Sequence, residues 1–88
     1  MEAVSLPLNA TLTLFVEPAS GGHRVAIRQG EEELAFTETP DLLRLLKRPG
    51  SIVAAAPIEL RNDMRIITVK WKGRSIGAFD KHDLIAFL

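Results

Sequence analysis

Residues 23–46 and 65–88 repeat one pattern at an offset of 42 positions. Val25 aligns with Ile67, Ile27 with Val69, Leu34 with Ile76, and Asp41-Leu42-Leu43 with Asp83-Leu84-Ile85. The same offset sets Val16-Glu17 against Ile58-Glu59 and Leu46 against Leu88. A chain that repeats itself this way is expected to fold as two similar units about a pseudo-twofold axis. The units carry opposite charge. Residues 1–43 hold two arginines against seven acids, a net of −5, whereas residues 44–88 hold nine Lys or Arg against four acids, a net of +5.

Within each unit the hydrophobic period changes from two to helical. Leu6, Leu8, Ala10, Leu12, Leu14 and Val16 point one way while Asn9, Thr11, Thr13, Phe15 and Glu17 point the other, which marks a half-buried strand. Pro18-Ala19-Ser20-Gly21-Gly22 interrupts it with residues that accept turn dihedrals. His23 to Gln29 and Glu33 to Glu38 alternate again, parted by Gly30-Glu31-Glu32, so three strands form an antiparallel meander. Thr39 is a suitable N-cap, Pro40 fits the first helical turn, and Asp41 complements the positive end of the helix dipole. Leu42, Leu45 and Leu46 give that helix an apolar stripe, and Pro49-Gly50 ends it.

The second copy is expected to follow suit. Ser51 to Leu60 reads as a strand, Arg61-Asn62-Asp63 as a turn, and Met64 to Trp71 and Ser75 to Phe79 as two further strands. Asp80 then caps a helix running to Leu88, with Phe79 and Leu84 spaced as a hydrophobic staple. The expected fold class is α+β: antiparallel sheet or sheets with two short helices in the order βββα-βββα. One domain covers residues 1–88, its first copy about 6–48 and its second about 51–88.

Composition narrows function mainly by exclusion. An apolar content of 47% supports a folded core. The absence of cysteine removes thiolate nucleophiles, disulfides and Cys-type zinc sites. Met1-Glu2-Ala3-Val4 has neither the basic nor the apolar region of a signal peptide, and apolar runs such as Ile52 to Ile58 are too short to span a bilayer. A cytoplasmic protein with no membrane contact is therefore expected. His23 and His82 are the only side chains that ordinarily titrate near neutrality, and neither has a nucleophile or acid at triad spacing. Asp80, His82 and Asp83 do not converge on one helical face as metal ligands would. The expectation is a non-enzyme without cofactor or metal.

Two binding functions remain. The first is a module that self-associates as a homodimer or docks on a protein partner. Its interface would be Val53, Ala55, Ile66 and Phe87, apolar residues read at outward or terminal positions. The alternative is a protein that binds single-stranded DNA or RNA through a basic sheet face formed by Arg24, Arg28, Lys70, Lys72 and Arg74. The segment Val69-Lys70-Trp71-Lys72-Gly73-Arg74 resembles the basic hairpins of Whirly-type single-strand binders. That resemblance covers about one hairpin; those binders likewise place strands before a helix, but usually four strands where three are expected here.

Overall fold

The computed structural model describes residues 3–40, 42–48, 50, 52–55 and 57–87. In it, Asn9 breaks the alternation that runs from Leu6 to Val16. Its Oδ1 accepts hydrogen bonds from the backbone N–H of Thr11 (2.8 Å) and Leu12 (2.9 Å). This side-chain turn folds the chain back on itself. One long strand thereby becomes two, β1 (Val4–Pro7) and β2 (Leu12–Ala19), paired antiparallel with Leu6 opposite Leu14. Pro7 donates no backbone hydrogen bond, and it sits on the strand at the sheet's edge, where that is tolerated.

β3 (Gly22–Gln29) and β4 (Glu32–Thr39) complete a four-stranded sheet of order β1-β2-β3-β4. Helix α1 (Leu42–Lys47) follows. The second half repeats that order with β5 (Ile52–Ala55), β6 (Ile58–Asp63), β7 (Ile66–Trp71), β8 (Arg74–Asp80) and α2 (Lys81–Phe87). Each half is thus ββββα rather than the expected βββα. In the second half the expected strand 51–60 is divided near Pro57. Arg61-Asn62-Asp63, expected as a turn, ends β6 instead, and the chain reverses at Met64-Arg65.

The β3–β4 and β7–β8 hairpins share one register at the 42-residue offset. Ile27 pairs with Ala35 as Val69 pairs with Gly77, and Gln29 pairs with Glu32 as Trp71 pairs with Arg74. Both ladders shift register at the same step, Ile27/Arg28 and Val69/Lys70. The preceding hairpins follow a different offset. Ile27 pairs with Leu14 and Val69 with Leu60, so the strand partners stand 46 residues apart while Ile27 and Val69 stand 42 apart. Val16 and Ile58 are consequently not equivalent. Val16 faces Val25, and its counterpart opposite Ile67 is Asn62.

The inward faces of both sheets share one core, including Leu14, Val16, Val25 and Ile27 from the first and Ile58, Leu60, Ile67 and Val69 from the second. Leu42, Leu45 and Leu84 bring the helices into it. The helices dock crosswise: α1 contacts β5 and β6, and α2 contacts β1 as well as β8. Buried Asn62 ties this exchange down by donating from Nδ2 to the Leu45 carbonyl at 2.7 Å. The sheet edges meet as well. β4 contacts β5, and β8 runs so close to the turn after β1 that a Cβ at Gly77 would fall on the Leu8 carbonyl. Asn9 Nδ2 closes that seam with a 2.7 Å bond to the Ile76 carbonyl. Edges that face one another in this way offer little free ladder for strand addition.

Candidate nucleic-acid interface

The five basic residues expected on one sheet face divide between the two sheets. Arg24 and Arg28 belong to β3, Lys70 to β7, Lys72 to the following turn and Arg74 to β8. Their surroundings differ accordingly.

The outward face of the first sheet is organised as a small satellite core. Phe15, Ala26 and Phe36 are opposite one another across β2, β3 and β4, and Ala26 is fully buried. The Arg28 guanidinium lies 3.7 Å from the Phe15 ring centroid and that of Arg24 lies 4.3 Å from Phe36. Arg24 also binds Glu33 in a bidentate fork with both N···O distances 2.7 Å, and Glu17 stands 3.9 Å away. The hydrogen bond to Glu33 raises the Arg24 pKa, and the same bond holds the Glu33 carboxyl below its usual range. Arg24 is neutralised by this pairing. Arg28 is stacked against an aromatic ring and its Nε is buried. Both arginines roof a hydrophobic row, a structural use of their charge and their long stems.

The second sheet leaves its cations free. Lys70, Lys72 and Arg74 are exposed, and among the described residues none of them forms an ion pair. The tight turn places them together: Trp71 pairs with Arg74, while Lys72 (φ 55°) and Gly73 (φ 76°) take the left-handed conformation that joins the strands. The Lys72 ammonium sits 4.9 Å from the Trp71 ring centroid. Beside this hairpin opens a cleft of about 390 Å³, walled by Asn9 and Leu12 from the first half and by Trp71, Lys72, Arg74 and Ile76 from the second. Trp71 is half-buried against the core, and its indole N–H is buried without an acceptor. The expectation of a basic hairpin named Lys72 and Arg74 of this lining but not Trp71, which alternation places on the core side with Ile67 and Val69. It also missed Asn9 and Leu12, which lie some sixty residues away in sequence. The turn-forming capacity of Asn9 is the one local signal that could have marked a fixed loop there, and alternation absorbs it into a continuous strand.

Of the interface residues expected from sequence, Ile66 and Phe87 have described side chains. Ile66 is exposed at 40% beside the hairpin tip, where Met64 is 67% exposed and held at φ 60°. Phe87 is half-buried and packs against the core. Val53 pairs with Leu60 and Ala55 with Ile58 along the backbone, but their side chains lie outside the described residues, as do Asp41 and Leu88.

The two histidines have separate surroundings. His82 donates its backbone N–H to Asp80 Oδ1 (2.8 Å), and its Nδ1 is 3.1 Å from the same oxygen, which makes Asp80 the cap of α2. These bonds hold the Asp80 carboxyl below its ordinary pKa. His23 lines a smaller hollow of about 200 Å³ with Gly22, Glu38 and Thr39. Among the described residues no three His, Asp or Glu side chains gather as a metal site, and no helix is long and apolar enough to cross a membrane. No protein-family model, no curated protein and no solved structure matches the chain.

Proposed function

We propose that this chain is a non-catalytic binding module whose binding element is the β7–β8 hairpin, and that its ligand is a single-stranded nucleic acid. One contrast supports this reading above all. The first sheet's arginines are partly buried against Glu33 and aromatic rings, whereas Lys70, Lys72 and Arg74 are exposed and form no ion pair among the described residues. Lys72 and Arg74 line a cleft that carries the Trp71 ring, which Lys72 itself touches at 4.9 Å. Cations that do not stabilise the fold are free to meet phosphate, and a π face beside them suits unstacked bases. The hairpin's resemblance to Whirly-type single-strand binders adds to this reading, as does a half built from four strands and a helix. The shared hairpin register supports duplication of an ancestral ββββα unit, with opposite charge then acquired by its two turns. A Lys70→Glu, Lys72→Glu double variant is expected to lose retention on heparin with unchanged size. Undiminished retention would refute the assignment of this hairpin.

Self-association or protein docking is the second reading, and it draws on a separate observation. Met64 and Ile66 expose apolar surface at the tip of the β6–β7 hairpin, with Met64 in a backbone conformation that costs a non-glycine residue energy. An Ile66→Asp variant that changes oligomeric mass while heparin retention persists would favour this reading.

A further inference from the structure

We propose that the cleft between the Asn9 turn and the β7–β8 hairpin is a one-nucleotide pocket, holding a base ring at Trp71 while Lys72 and Arg74 take its phosphate. The proposal rests on the nucleic-acid reading above and specifies the chemistry of the ligand. Its volume of about 390 Å³ lies in the range of roughly 300–1,000 Å³ typical of small-ligand sites. Leu12, Ile76 and the Trp71 ring give it apolar walls, and two unpaired cations stand at its rim. A ligand matching both features needs a flat body with apolar faces and an anionic end. A nucleotide has that shape and charge.

The pocket is formed before any ligand arrives. The Asn9 side chain uses its oxygen on Thr11 and Leu12 and its amide on Ile76, so the wall from the first half is fixed to β8. Asn9 is accordingly a positioning residue, and little ordering remains to be done on binding. Trp71 is half-buried, packed against the core and lining the cleft. Its indole N–H lacks an acceptor, and its ring contacts the Lys72 ammonium. An arriving phosphate draws Lys72 towards itself, and the base replaces the ammonium against the ring. The corresponding turn of the first half cannot do this. At the 42-residue offset Gln29, Gly30 and Glu32 replace Trp71, Lys72 and Arg74, so the first hairpin lacks the ring and both cations.

Trp71 is the sole tryptophan, and its fluorescence therefore reports the pocket directly. The full chain is titrated with an oligothymidylate, with an abasic strand of equal length and charge, and with free adenosine monophosphate. The base-bearing strand is expected to quench Trp71 and to bind about tenfold tighter than the abasic strand. Ser75→Phe, which adds a ring at an exposed lining position, is expected to erase that preference while retaining affinity for the abasic strand. Quenching by the monophosphate supports the pocket and identifies a free nucleotide as sufficient. Quenching by the strand alone supports it with the nucleotide presented in a chain. Equal affinity for both strands without quenching overturns the pocket and leaves the polyanion reading standing. Failure of both strands to bind overturns that reading, and the pocket then survives only if the monophosphate quenches Trp71.

Discussion

Gly77 is where the two halves of the chain come closest, and adding one methyl group there tests the packing of the fold. Its φ is +153°, and an added Cβ would land on the carbonyl of Leu8, a backbone atom fixed by the neighbouring Asn9 turn. The Gly77→Ala change therefore incurs two penalties. Holding an alanine at such a φ costs about 1–3 kcal/mol. Forcing a methyl into an already close-packed seam costs roughly another 1–3 kcal/mol. The sum, about 2–6 kcal/mol, is a large share of the roughly 4–13 kcal/mol expected for a domain of this length. Gly73→Ala supplies the control, because Gly73 also has positive φ (+76°) but open space where its Cβ would lie. It should lose only the conformational part. Urea unfolding followed by circular dichroism gives both values, provided the slope of stability against denaturant stays constant. Gly77→Ala should be the more destabilised by about 1–3 kcal/mol, the contribution of the seam. Equal losses for the two variants would mean that β8 does not pack against the turn after β1 in this way. Ala35, the residue at the 42-residue offset, carries a methyl at the matching hairpin position, so the requirement is specific to the second half.

Other expectations concern single groups. Asn62→Ala removes a buried bond to the Leu45 carbonyl and should cost about 1–3 kcal/mol, measured by thermal or urea unfolding; a neutral substitution would show that crosswise helix docking does not depend on it. Asp80 should titrate below the ordinary aspartate range because His82 donates to its ionised form. The stability it contributes is present above the unfolded-state pKa and is lost as pH falls through the depressed folded value, an effect that Asp80→Ala should abolish. Carbon-detected NMR of the Asp80 carboxyl measures this, and an unshifted titration would remove the cap. Arg24→Ala should weaken oligonucleotide binding less than about twofold, since Glu33 already neutralises that guanidinium, whereas Arg74→Ala should weaken it several-fold more. Similar losses at the two sites, measured by anisotropy, would restore Arg24 to the interface.

Some of this architecture could be read directly from residue order. Asp80 marked the entry to α2, and strict alternation from His23 to Gln29 gave β3 with its inward Val25 and Ile27. Thr39, expected to cap the first helix, instead ends β4 opposite His23, and α1 begins at Leu42. Other features depend on neighbours that periodicity does not reveal. The alternation around Asn9 is uninterrupted in hydrophobicity, so only the turn-forming capacity of one side chain distinguishes two strands from one. Asn62 reads as a turn residue because asparagine usually caps or turns, yet here it faces inward, its Nδ2 bonded to a helix from the other half and its Oδ1 buried without a partner among the described residues. The fate of the basic residues was hidden for a related reason. Alternation places Arg24 and Lys70 outward alike, but Glu33 comes within reach of Arg24 across a register shift, whereas Lys70 gains no such partner. Cleft formation required contact between Leu12 and a hairpin far along the chain, and that follows from how the sheet edges meet.

Binding through the β7–β8 hairpin is tested most directly by the salt dependence of affinity for a single-stranded oligonucleotide. One phosphate held by Lys72 and Arg74 and a neighbour held by Lys70 correspond to a slope of about −1.4 in log affinity against log salt, or a roughly 7-fold loss between about 50 and 200 mM. A Lys72→Ala, Arg74→Ala variant keeps one of these cations and should lose only about threefold over the same interval. Wild-type affinity that ignores salt, or a variant whose slope equals that of the wild type, would contradict the assignment of this hairpin as the nucleic-acid interface.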